Sequence, residues 1–333
     1  MSKILSIIKK FLLAIAIPAI IFIICVILFP DRVNLSILSV LFLQAIPTAI
    51  LSWGVCFEIK VNIWDFSVGS VVLLAGIIGG NLANQFGLGV VGVIVFCIIT
   101  GLLGGLITGL VFRYVRIPSI IVSIGIMLIF ESISGLVFGG HGVMVSSDIF
   151  LVARFPYNLI IGILAFGLAY YLYNFRSFGF HVRAIGNGIS IAKLHGINID
   201  MTRVKVFATT GLFAGMFAFM QLGGAGVMKA QSNMTTMGVV LDAIICACIA
   251  LSLERVTNLI IGVFIGSITI QIIKIAILVS GFPSMYQQVI IALFLLFFMG
   301  LSSRIDSFRD LMMKIQKKIT KTNKAFPENT SVG

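Results

Sequence analysis

The chain of 333 residues is 59% apolar and only 10% charged, where soluble domains carry about 25% charged residues; with a mean hydropathy of +1.17, a soluble enzyme is excluded. Apolar runs such as Phe11 to Phe29 and Val90 to Phe112 are long enough to cross a bilayer as helices and lack the period-two alternation of an outer-membrane barrel. The net charge of +12 invites a nucleic-acid reading, which the placement of that charge removes.

Spans of bilayer length fall at roughly 10–29, 35–55, 67–86, 88–112, 118–138, 158–174, 204–223, 234–252, 257–279 and 285–302. With the N-terminus inside, these ten spans place 19 of the 23 lysines and arginines in the cytoplasm; Arg32, Arg154 and Lys229 fall outside, and Lys274 lies within a span. That asymmetry follows the positive-inside rule. It predicts an all-α polytopic bundle with both termini in the cytoplasm, a membrane domain over 1–303 and a basic tail over 304–333. The basic residues then face lipid headgroups, not nucleic acid.

In chain order, the first span has the basic and apolar parts of a signal peptide. It lacks a small-residue cleavage site before Pro30 and Asp31, so it reads as a retained anchor. Asp65 opens the third span as Asp-Phe-Ser-Val-Gly-Ser, a helix start at which its carboxylate caps free amides. On the fourth span Gly101, Gly105 and Gly109 recur every four residues, leaving a face on which another backbone can lie. Gly211 with Gly215, and Gly262 with Gly266, repeat the spacing. The segment from Gly139 to Pro156, with His141 among glycines, predicts turns or a mobile cap over a pathway mouth.

Between the sixth and seventh spans, roughly 176–203, Asn187 or Gly188 starts and Gly196 stops a helix of about two turns. So short a helix needs a docking surface. Ile189, Ala192 and Leu194 supply apolar contact, and Arg183 and Lys193 remain for an acidic partner. Glu131, Gln221, Asp242, Gln271 and Lys274 lie within spans, where a central charge costs about 2–4 kcal/mol and marks either an ion pair or a pathway. Lys274 shares a face with Gln271 and either pairs with Glu131 or Asp242 or faces substrate. The tail carries Ile305, Phe308, Leu311, Met312, Ile315 and Ile319 among charges, the pattern of a surface helix.

No segment fits a Walker A loop, and the three histidines are scattered, with no H-E-x-x-H, CxxC or G-x-S-x-G. The cysteines Cys25, Cys56, Cys97, Cys246 and Cys248 read as small buried hydrophobes; Cys246 and Cys248 are about 200° apart round a helix and cannot share a metal. The expectation is a non-catalytic chain without a bound metal or cofactor of its own.

Several stretches resemble the permease subunits of bacterial ATP-binding-cassette (ABC) importers. They are Asp65 to Ser70, the Gly101/Gly105/Gly109 helix leading to Pro118, the Arg183-Ala-Ile-Gly186-Asn187 segment with Ala192 and Gly196-Ile197-Asn198, and Leu241-Asp242-Ala243-Ile244. The likeness covers residues 55 to 300 or so and is strongest to the ribose-type sugar branch, which includes autoinducer-2 permeases and is related to branched-chain amino-acid permeases. It implies an inner-membrane permease pair, two ATPase subunits that hold ATP and magnesium, and an external solute-binding protein. The helix of Gly188 to Gly196, with Gly186, Asn187, Ile189, Ala192, Lys193, Leu194 and His195, would be the coupling helix that seats on an ATPase. A broken third span would turn Asn62, Phe66 and Ser67 toward the pathway. A sugar is the expected solute, with a branched-chain amino acid or nucleoside as the alternative and an ion-driven secondary transporter as the reading from another class.

The chain departs from that pattern in three places. Asn62-Ile63-Trp64 replaces a glycine pair, Glu131-Ser132 replaces Arg-Gly in the fifth span, and Ala250 to Arg255 replaces a Gly-Gly-Thr-Ser segment. A symmetric dimer would suffer each loss twice, so a heterodimer is expected, with a homodimer left open.

Overall fold

A computed structural model describes residues 18–27, 30, 36–254, 257–281, 286–287, 289–294, 296 and 300. Contacts divide the chain into one unit from Met1 to Phe282 and another from Pro283 to Gly333. In the second, the described residues are helical. Arg32, half of the first span, much of the tenth and the basic tail lie outside the described residues.

The first unit is built from α1 (Pro18–Ile27), α2 (Ser36–Lys60), α3 (Val68–Phe86), α4 (Gly89–Val115), α5 (Ser119–Ser134), α6 (Phe150–Ala153), α7 (Tyr157–Phe175), α8 (Ser177–Asn187), α9 (Ile189–Leu194), α10 (Ile199–Ala225), α11 (Met237–Leu253) and α12 (Leu259–Val279). Six of these, α2, α3, α4, α7, α10 and α12, are long and apolar enough to cross a membrane; α1, α5 and α11 are shorter apolar helices. The fold is thus an all-helical membrane bundle. Helices win because in hydrocarbon every backbone amide must be bonded within its own segment; Pro47 inside α2 frees the Leu43 carbonyl, and Asn158 Nδ2 of α7 donates to it at 3.2 Å.

At its centre α10 packs against α4, α2 and α3. Of the most apolar stretches, 78% of α10, 72% of α3 and 67% of α2 are buried, against 28% of α4 and of α7. The first three, with α12 at 67%, therefore form the core, and α4 and α7 turn most of their surface outward. The α4–α10 seam closes on backbone: a methyl group on Gly101 would stand 2.7 Å from the Gly215 Cα, and one on Gly105 would stand 2.8 Å from the Gly211 Cα.

Two elements differ from expectation. The segment before the short loop helix is itself a helix, α8, because Val182 and Ile185 recur at helical spacing and are buried; Gly188, at φ 155°, then breaks the chain so that α9 can leave at a new angle. The Gly139–Pro156 segment is tied down. Val143–Met144 (β1) pairs antiparallel with Val227–Met228 (β2), Asn81 Nδ2 donates to Gly142 O at 2.9 Å, and Asn84 Nδ2 donates to Met144 O at 2.8 Å. Gly142, at φ 72°, lies so close to Met228 O that no Cβ would fit.

The ends of the helices sort by charge. Lys60, Arg113, Arg116, Arg183, Lys193, Arg203 and Lys205 gather where α2 and α4 end and α10 begins. We term this the basic end; the β1–β2 pair marks the opposite one.

Candidate functional site

Toward the β1–β2 side of α3 a cavity of about 140 Å³ is lined by polar groups, Gln221 of α10 with Lys229, Gln231 and Thr236 of the connection to α11, against Gly69, Val72 and Leu73 of α3. Its wall depends on Gly69, since a Cβ there would meet the Thr236 carbonyl. Glu131, 2% exposed, does not line this cavity but holds its wall. One carboxylate oxygen accepts from Met234 N at 2.8 Å, and the other accepts from Thr236 N at 3.0 Å and Thr236 Oγ1 at 2.7 Å. A carboxylate that receives three hydrogen bonds at the start of α11 is well matched to free amides and the positive end of a helix dipole. A second cavity, of about 220 Å³ between α2, α7 and α12, is lined by Phe42, Trp53, Phe166, Phe264 and other apolar side chains; it offers nothing to bond a hydroxylated solute.

Below the polar cavity the connection from α2 to α3 breaks the helical run. Asn62, exposed and at φ 58°, begins the break, and Asp65 Oδ1 ends it by accepting from both Ser67 N and Ser67 Oγ at 2.7 Å. Ser67 Oγ lies 3.4 Å from Thr108 Oγ1 of α4, while Phe66 is half-buried. Burial pushes the Asp65 carboxyl up to about 6, against the pull of the two Ser67 bonds. Trp64 N donates to Ser119 Oγ at 3.1 Å, which ties the break to the start of α5. Glu58, fully buried one turn before Asn62, lies against Asp65 and Thr210 without a well-formed hydrogen bond to either carboxylate oxygen among the described residues. Sequence reasoning passed over it, because beside Lys60 it reads as the polar end of a span.

On α12 the two polar groups part company. Lys274 forms an ion pair with Asp242 of α11, and Gln271 Nε2 donates to Thr48 Oγ1 at 2.8 Å and to Gln44 O at 3.3 Å on α2. Of the two carboxylates that spacing offered Lys274, the fold supplies Asp242.

At the basic end α9 presents Leu194, 87% exposed, with Ile189, Lys193 and His195 also open, while Ala192 is buried. Behind it Arg183 of α8 is turned inward, Nη1 donating to Tyr173 O at 2.9 Å with its guanidinium 5.1 Å from the Tyr173 ring. Tyr173 OH donates to Glu254 Oε1 at 3.1 Å, and Glu254 Oε2 pairs with Lys60 Nζ at 2.5 Å. A Cβ on Gly186 would stand 2.6 Å from Lys60 O, so α8 lies directly on the end of α2. Lys60, Tyr173 and Glu254 were not singled out from sequence: they stand up to 194 residues apart, and no local pattern announces the cluster.

Comparison with known proteins adds the following. The model of the family described as branched-chain amino acid transport system / permease component matches residues 36–299. The galactose/methyl galactoside import permease protein of Escherichia coli K12 is 25% identical over 306 residues, covering 84% of this chain and 90% of the relative. The autoinducer 2 import system permease protein of Yersinia pseudotuberculosis is 25% identical over 273 residues, covering 79% and 76%. The ribose import permease protein of Haemophilus influenzae is 26% identical over 280 residues, covering 80% and 85%. No solved structure matches the chain.

Proposed function

Since the chain belongs to the branched-chain amino acid transport system / permease component family and is a multi-pass membrane protein of that family, we propose that it is the permease subunit of an ABC importer that takes up a sugar or sugar-like solute. The observation that carries this reading is that the exposed α9 packs directly against α8, whose Arg183 is bonded toward the bundle core through Tyr173, Glu254 and Lys60. A short helix projecting an uncovered leucine, backed by a bonded path into α2 and α11, suits the transmission of a push from a separate ATPase. ATP and magnesium belong to that ATPase and none to this chain. An external binding protein delivers the solute to the face opposite the basic end.

The basic end is then cytoplasmic, in accord with the positive-inside rule, and ten spans with both termini inside follow from the same charge placement. Lodging of solute falls to the polar cavity. Gln221, Gln231 and Thr236 offer both donors and acceptors, as hydroxyl groups require, with Asn62, Asp65, Phe66 and Ser67 deeper along the path. The named relatives are import permeases for galactose and methyl galactoside, ribose and autoinducer 2. Lys229 at the same cavity is the observation that favours the second reading, an amino acid whose carboxylate it would pair. The partner permease is a different chain, because Glu131 and Glu254 stand where the standard pattern has other residues, and one such set per pair suffices.

Co-expression with the neighbouring ATPase and permease genes tests the reading, with purification through a tag on this chain. Wild type should bring down the ATPase and a second permease; Gly188→Pro with Ala192→Arg, which spoils both the α8–α9 break and the buried face of α9, should lose the ATPase alone. A chain that purifies by itself and moves solute in ATP-free vesicles contradicts the proposal. Competition of uptake by monosaccharides against leucine separates the two solute classes.

A further inference from the structure

Beyond Gly109 the ends of α4 and α10 enclose a cavity of about 220 Å³ lined by Phe112, Arg113, Arg116, Ile117, Asp200 and Arg203. The backbone fixes it: Arg116 is the left-handed cap of α4 at φ 58°, its N–H donating to Phe112 O at 3.3 Å. Arg203 lies with its guanidinium 5.8 Å from the Phe112 ring, and its Nε is buried with no partner. Among the described residues Arg113 finds only the soft Met201 sulfur, at 4.0 Å. Among the described residues none of these three arginines is in an ion pair, although Asp200 shares the cavity. Three arginines against one aspartate, with a buried donor left open, make a site that wants an anion able to take a guanidinium fork.

The surroundings indicate where that anion comes from. α4 is the most apolar of the long helices, with a mean hydropathy of 2.7 over its most apolar stretch, and only 28% of that stretch is buried. Beside the cavity Tyr114 is 77% exposed, with Val115, Ile117 and Met201 also exposed. An apolar outer face ending in an exposed tyrosine and arginines is the profile of a helix leaving the hydrocarbon at headgroup depth. We propose that this cavity binds the phosphate of an anionic phospholipid, whose acyl chains lie along the outer face of α4. Placing it in the cytoplasmic leaflet rests on the orientation proposed above; the binding itself does not. The bound lipid would hold the α4–α10 unit at a fixed depth while other helices move.

The test is native mass spectrometry of the purified full chain with phosphatidylglycerol, phosphatidylcholine or inorganic phosphate. Wild type should retain phosphatidylglycerol over phosphatidylcholine. Arg203→Gln and Arg116→Gln should each weaken retention about fivefold, the effect of one basic residue at an anionic surface, Arg203→Lys by less, and Asp200→Asn should strengthen it. Arg116 is exposed, so its variant keeps the test valid should Arg203→Gln fail to elute as a single species. Equal retention of the two lipids, or no loss in the arginine variants, overturns the proposal. So does displacement by millimolar phosphate, which would mark a free-anion site. Loss of a co-purifying ATPase from the arginine variants with lipid retention unchanged also overturns it, in favour of a protein contact. Uptake of solute by the assembled importer is a separate readout, so failure of the lipid site leaves the transport reading standing.

Discussion

Two seams of the bundle carry the same glycine spacing and close differently. Along α4–α10, glycine faces glycine, and any added methyl would stand within 3 Å of the opposite backbone at Gly101, Gly105, Gly211 and Gly215. Along α11–α12 only one side is glycine: a Cβ added to Gly262 would stand 3.2 Å from the Ala250 Cα and one added to Gly266 would stand 2.8 Å from Cys246 O, and the Asp242–Lys274 ion pair crosses the same seam. The spacing alone thus sets close approach; what stands opposite sets whether there is room for change. Backbone interlocked on both sides gives a fixed unit held by van der Waals and Cα–H···O contacts. A looser seam with a polar clasp has contacts that two conformations can hold unequally, which a ligand or ATPase needs in order to bias an equilibrium.

The largest expected effect is at the fixed seam. Gly211→Val forces its Cβ within 2.8 Å of the Gly105 Cα, and the cost, above about 3 kcal/mol for overpacking without relief, should abolish the monodisperse peak in size-exclusion chromatography. Next comes the clasp. Asp242→Asn leaves Lys274, about three-quarters buried, without its carboxylate and should cost about 2 kcal/mol, read as a lower midpoint in a thermal-shift assay, with Asp242→Leu plus Lys274→Met recovering most of it. The connection at Asp65 should show a smaller effect, spread over pH. Its carboxyl is raised from 3.8 to about 6 in the fold, so the folded state binds the proton more tightly, and this stability is fully present below about pH 4 and lost as pH rises through 6. Asp65→Asn should flatten that slope. Smallest is Gly262→Ala, whose Cβ would stand 3.2 Å from the Ala250 Cα, at about 1 kcal/mol; if it costs as much as Gly211→Ala, the distinction between the seams fails.

Much of this arrangement is readable along the chain because it depends on spacing within one helix. Gly101 and Gly105, the Asp65 helix start and the Gly188 break are local, and the structure places each at a junction between elements. The polar partners are not local. Lys274 had two carboxylates to choose from, and only the packing of α12 on α11 selects Asp242. Glu131 stood out as a departure, yet its partners are Met234 and Thr236, 103 and 105 residues away. Glu254 looked like part of a lost glycine segment, whereas in the fold it bridges Lys60 and Tyr173. α8 reads as loop in the sequence because its polar and glycine residues mask a short buried stripe.

The coupling that this arrangement provides runs from α9 through α8 to Glu254 and the bundle. It is tested most directly by the solute taken up per ATP hydrolysed in vesicles that contain this chain with its ATPase and partner permease. Glu254→Gln should lower that ratio while the ATPase still co-purifies, and the swap Lys60→Glu with Glu254→Lys should restore part of it. An unchanged ratio in Glu254→Gln would contradict the account.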